Sequence, residues 1–204
     1  TPAGMASRNE YSLCSNSNTE KYGKMQVDEG TDTHGHINIT IDGGTIGATT
    51  ESGALTSSNF TIGDVYGGGK GSPNNDLRFG LTKTTTITMS GGHVNGSVYG
   101  GGEVAVVEGN ATITINGGEV GDRVTKKGGD KIGNVYGSGK GNLSEAGAGL
   151  VKGNTSVTIE KGESTTPTIY HNVYGGGSYG SVGDFTLRDD GSPGSCTSDR
   201  KSVV

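Results

Sequence analysis

Tryptophan is absent from this chain of 204 residues, and it holds only four prolines and three phenylalanines. A large globular core and a proline-rich linker are therefore both unexpected. Ile, Leu, Val and Phe together make up about 18 per cent of the residues, a level that signals disorder when net charge is also high. Net charge is only −5, which leaves room for an ordered chain of unusual design. The acidic balance argues against nucleic acid, because phosphate binding needs a basic face. No apolar run approaches the length of a membrane span, so membrane insertion is not expected. Thr1-Pro2-Ala3-Gly4 opens no hydrophobic stretch, and no secretory leader is read there. A mature fragment and a cytosolic chain are equally compatible with that start.

What the chain has instead is glycine, 41 residues of it, arranged in repeats. One phrase recurs four times: Val65-Tyr66-Gly67-Gly68-Gly69, Val98-Tyr99-Gly100-Gly101-Gly102, Val135-Tyr136-Gly137-Ser138-Gly139 and Val173-Tyr174-Gly175-Gly176-Gly177. A short alternating strand precedes each copy: Ile37–Ile41, Thr86–Met89, Thr112–Ile115 and Ser156–Ile159. Period-two alternation sends Ile41, Met89, Ile115 and Ile159 into a core and the threonines outward. Gly-Gly steps after the first three strands read as corners, followed by a second short strand at Thr45-Ile46, His93-Val94 and Glu119-Val120. In the fourth unit Glu160-Lys161-Gly162 stands there, so its corner should differ. With Val-Tyr as a third strand, three strands and three bends per unit suit a triangular parallel β-helix. The fold expected is all-β, a parallel β-helix (β-solenoid) of about four irregular coils.

Its irregularity lies in loop insertions at 47–62, 121–132 and 161–171 after the first corner, and at 70–83 and 140–153 after the glycine triplet. In repeat proteins such insertions emerge from fixed edges and often form the working surface. Residues 31–187 form the repeat domain. Residues 1–30 read as an N-terminal segment, either a cap or a strand donated to a neighbour, with strand-like stretches at 10–14 and 24–27. Residues 188–204 read as a polar C-terminal tail, either mobile or a linker.

The pattern Thr-Ile-Thr-Ile-x-Gly-Gly followed by Val-Tyr-Gly-Gly-Gly resembles the glycine-rich repeats of adhesin-like surface proteins of gut bacteria. The resemblance covers about three quarters of the chain, residues 31–187. It implies secretion or a cell-surface location, a parallel β-helix, and an adhesive or structural role. It brings no catalytic residues with it.

The four tyrosines, Tyr66, Tyr99, Tyr136 and Tyr174, recur at equivalent positions and should stack at the strand spacing of about 4.8 Å. They read first as a ladder that stabilises stacking. The functional alternative is a platform for the sugar rings of a cell-surface or matrix polysaccharide, or for a neighbouring solenoid. Cys14 and Cys196 flank the repeats. Bridged Cα atoms must approach within about 7 Å, which four stacked coils forbid within one chain unless a tail folds back along them. An intersubunit disulfide in a head-to-tail homopolymer escapes that limit, and two free thiols are equally consistent.

Other constellations carry less chemistry. Gly175–Gly180 satisfies GxGxxG, but the strand-like Ser181–Phe185 follows where a dinucleotide site needs a helix. Lys70 and Lys140 follow glycine triplets without the Ser or Thr that a phosphate loop requires. Asp42, Asp64, Asp122 and Asp184 lack the tandem spacing of calcium-binding nonapeptides and read as turn residues. His34 and His36 share a strand face with no third ligand nearby, and His93 and His171 read as surface residues. Glu103, Glu119, Glu145 and Glu163 show no recurring pairing, so neither an enzyme nor a cofactor is expected. Six Asn-x-Ser/Thr sequons, beginning at Asn38, Asn59, Asn95, Asn110, Asn142 and Asn154, follow from the Asn- and Thr-rich strands.

Overall fold

A computed structural model describes residues 35–47, 63–71, 80–121, 133–145, 147–187, 193–198 and 202–203. Among them all regular structure is strand, and there is no helix. In chain order the strands are β1 (His36–Ile46), β2 (Val65–Tyr66), β3 (Thr84–Val94), β4 (Val98–Tyr99), β5 (Ala111–Val120) and β6 (Val135–Tyr136). They continue with β7 (Thr155–Ile159), β8 (Thr168–Ile169), β9 (Val173–Tyr174), β10 (Asp184–Leu187), β11 (Pro193–Ser198) and β12 (Ser202–Val203).

The repeats pair in parallel and in register. One sheet runs β1-β3-β5-β7-β12, with β8 beside the far half of β5. A second runs β2-β4-β6-β9. Isolated parallel bridges join Thr82 to Val107, Val107 to Val151 and Val151 to Val182, giving each repeat a third ladder position. Two of its members, Thr82 and Val151, lie near the ends of the stretches read from sequence as insertions at 70–83 and 140–153.

The Gly-Gly steps are not breaks between strands. β1, β3 and β5 run straight through them, with a register shift at the glycines and pairing resumed at Thr45↔His93↔Glu119. Gly44, Gly92 and Gly118 each take φ near +80° (76°, 80° and 82°), which a residue with a Cβ rarely adopts. The bulge resets the alternation. Ile41 and Ile46 are five positions apart and strict alternation would place them on opposite faces, yet both join the same core cluster. In the fourth unit, Glu160-Lys161-Gly162 fails to make this bulge. The strand ends at Ile159 and resumes as β8 nine residues later, as the divergent corner there suggested.

Stacked rows form the core: Ile39-Ile87-Ile113-Val157, Ile41-Met89-Ile115-Ile159, Ile46-Val94-Val120-Ile169 and Val65-Val98-Val135-Val173. Met89 and Ile115 are fully buried and Ile41 nearly so, as the alternation predicts. Ile159 departs from that expectation at 37% exposure. It ends its row, and β7 stops with it.

The described parts of the C-terminal segment are paired strands. β10 and β11 pair antiparallel, and β12 pairs parallel with β7 through Ser202↔Thr155 and Val203↔Ser156. Part of the 188–204 segment thus returns to the repeat sheet and occupies its last edge. The N-terminal segment 1–30, with its two expected strands and Cys14, lies outside the described residues.

Candidate functional site: the tyrosine ladder and its flanks

The Val-Tyr-Gly phrases assemble into one column. Tyr66, Tyr99, Tyr136 and Tyr174 stack with ring centroids 4.9, 4.8 and 5.0 Å apart and interplanar angles of 12°, 8° and 8°. Each inner ring therefore has both faces covered by neighbouring rings. Tyr99 is 6% exposed and Tyr174, at the end, 43%.

The glycines beside the rings are there for space. A Cβ on Gly67, Gly100 or Gly137 would strike the carbonyl oxygen of Gly100, Gly137 or Gly175 respectively, in the next repeat. The third triplet admits Ser138 at its middle position because the buried hydroxyl has work there. It donates to the Gly149 carbonyl at 3.1 Å and the Ser181 carbonyl at 2.8 Å. Thr85 and Thr155 point inward at the start of their strands and donate to the carbonyls of Gly100 (2.6 Å) and Gly175 (2.7 Å).

A second ladder stands one residue before each valine. Asp64 Oδ1 accepts the N–H of Ser97 at 2.8 Å, Ser97 Oγ accepts that of Asn134 at 3.1 Å, and Asn134 Oδ1 accepts that of Asn172 at 3.0 Å. Sequence reasoning singled out only Asp64, as a turn residue, and missed the series. Its signal was legible: the position before Val-Tyr holds Asp, Ser, Asn and Asn, all short side chains with an acceptor oxygen. Asn110 repeats the device by accepting the Asn154 N–H at 2.9 Å.

Polar groups close over the tyrosine hydroxyls. Tyr66 donates to Asp64 Oδ2 at 3.0 Å, and Lys140 Nζ reaches back to Tyr66 Oη at 3.3 Å and to Glu103 at 3.8 Å. Burial, with Asp64 second, holds the Tyr66 and Tyr99 phenols well above their usual range; burial raises Tyr136 as well. These hydroxyls stay protonated and neutral at physiological pH.

The remaining candidates do not converge. His36 Nδ1 lies 2.6 Å from Thr84 Oγ1, and His93 Nε2 lies 2.6 Å from the Gly121 carbonyl. Glu119 accepts the Tyr170 hydroxyl at 2.7 Å. Among the described residues no group of three His, Cys, Asp or Glu side chains is placed to hold a metal. No helix follows Gly175–Gly180; Val182 makes a bridge instead. Asn95 is buried and its amide donates to the Gly47 carbonyl, which removes it as a glycan acceptor. Cys196 lies in β11 opposite Phe185, while Cys14, His34 and Asp122 fall outside the described residues.

No protein-family model, curated protein or solved structure matches this chain.

Proposed function

We propose that the chain is a parallel β-solenoid serving as an adhesive or structural element on the cell exterior. Three parallel ladders, each entered once per repeat in the same order, support the solenoid reading. The resemblance of its repeats to adhesin-like surface proteins of gut bacteria supports the location.

One observation carries the structural role. The polar side chains of the tyrosine column are committed to joining one repeat to the next, as in the Asp64-Ser97-Asn134-Asn172 series. A catalytic or binding site would aim such groups at a vacant space. Here they close onto the protein's own backbone, and Glu103 and Glu119 are engaged by Lys140 and Tyr170. Loops at the repeat edges would then supply any selectivity of adhesion.

The ladder geometry disfavours the carbohydrate platform. A sugar packs on an aromatic face, and those of Tyr99 and Tyr136 are covered by neighbouring rings. The test pairs retention on immobilised cell-surface polysaccharides with limited proteolysis. The structural reading expects a protease-resistant repeat block and no retention that depends on the ladder. Retention lost on Tyr174→Ala, with the block intact, would replace it by the sugar-binding reading.

A further inference from the structure

The two ends of the Val-Tyr sheet are complementary to each other. Along the column each repeat donates two N–H groups to the next: Val65 to Ser97 and Gly67 to Tyr99, Val98 to Asn134 and Gly100 to Tyr136, Val135 to Asn172 and Gly137 to Tyr174, all at 2.8–3.0 Å. At the last repeat the same donors, the N–H groups of Val173 and Gly175, have no backbone partner among the described residues. At the first repeat the matching acceptors, the carbonyls of Asp64 and Tyr66, have none either.

Side chains repeat the mismatch. Asn172 accepts no N–H from the described residues, although Asp64, Ser97 and Asn134 all accept one. Among the described residues Tyr174 has one ring face without a tyrosine upon it. A Cβ on Gly68 or Gly101 would crowd the next repeat's Gly102 or Gly139, and the third joint admits no more than the small Ser138 there, whereas a Cβ on Gly176 meets nothing within 4 Å. Beside Gly176 no described residue fills the space that a fifth Val-Tyr repeat would take.

We infer that this end receives the first repeat of a second copy of the chain. Val65-Tyr66 of the incoming copy continues the column beyond Val173-Tyr174, in the register of the internal joints. The inference rests on the solenoid reading and assigns its partner. The contact joins two different surfaces of the same protein, and such a contact propagates into a filament when its rotation does not close a ring. Paired polar edges of this kind template strand addition.

The chain's own terminus competes at the neighbouring sheet. β12 places Ser202 and Val203 on Thr155 and Ser156. By the register of β1 on β3 and β3 on β5 on β7, those are the places that Ile37 and Asn38 of an incoming copy would take. β12 therefore acts as a displaceable end cap that limits growth until the next copy replaces it.

The experiment compares four full-length proteins by sedimentation velocity and negative-stain microscopy over a range of concentrations, with far-ultraviolet circular dichroism on each. They are the wild type, Ser202→Pro/Val203→Pro, Gly176→Val, and all three substitutions combined. Loosening β12 should lower the concentration at which end-on oligomers form by about tenfold or more. Gly176→Val should leave the monomer's spectrum and melting temperature unchanged and abolish assembly in both backgrounds. If the proline variant loses its strand spectrum, the wild type and Gly176→Val alone decide. Folded wild type and proline variant that remain monomeric at the highest soluble concentration overturn the joint while leaving the solenoid standing. Assembly unaffected by Gly176→Val also overturns it. So does a Gly176→Val monomer of reduced stability, since the chain itself would then cover that edge.

Discussion

Ser97 Oγ lies 3.1 Å from the backbone nitrogen of Asn134, one repeat further along, and accepts its N–H. The same oxygen takes the N–H of Gly133 at 3.3 Å. One hydroxyl thus satisfies two buried donors between repeats whose own side chains are small.

Ser97→Ala leaves those donors without an acceptor. The expected cost is about 1–3 kcal/mol for an unsatisfied buried group, read as a lower urea midpoint with an unchanged slope. Ser97→Asn should lose far less, since Asn occupies the equivalent place at Asn134. Equal losses from the two substitutions would show that the oxygen is not what matters.

Gly100→Ala places a methyl group on the Gly137 carbonyl, and backbone cannot swing aside as a side chain can. Overpacking of this kind costs about 1–3 kcal/mol. Gly43→Ala, where a Cβ meets nothing within 4 Å and φ is not positive, should stay within about 0.5 kcal/mol of the wild type. Thermal melts of the two proteins decide, and a Gly100→Ala chain as stable as Gly43→Ala contradicts the close approach.

Thr82 is the exception in a row otherwise made of Val107, Val151 and Val182. Its hydroxyl is buried and has no hydrogen-bond partner among the described residues. Thr82→Val removes an unsatisfied polar atom while keeping the shape, and should raise stability by about 1 kcal/mol. A destabilised Thr82→Val protein would mean that the hydroxyl has a partner after all.

The tyrosine column makes the fold sensitive to alkali. Burial raises the phenols of Tyr66, Tyr99 and Tyr136 in the folded chain above the ordinary value of 10.0. Above that pH the unfolded chain releases these protons and the folded chain still holds them. The stability they contribute is fully present below pH 10 and falls as pH rises beyond it. Phenolate absorbance should therefore lag at the column and rise together with loss of the strand spectrum. Free titration of all eight tyrosines near pH 10 with the fold intact would refute this. Tyr99→Phe should flatten the alkaline decline.

The sequence by itself determined which repeats align, that Ile41, Met89 and Ile115 face inward, and that the tyrosines stack. Each follows from local periodicity: two-residue alternation sets the face, and identical phrases such as Val98-Tyr99-Gly100 and Val135-Tyr136-Gly137 set the register. Three-dimensional contacts decided the rest. The bridge ladder from Thr82 to Val182 arises from residues at irregular spacing, with no phrase to mark them. The Gly-Gly steps are bulges because ladder bonds resume beyond them at His93↔Glu119, and only pairing partners reveal that. Ile159 is exposed despite a perfect inward position, since burial depends on what lies above a row and not on its phase. Ser202 meets Thr155 because β7 had an edge left to pair, and an edge exists only once the sheet is built.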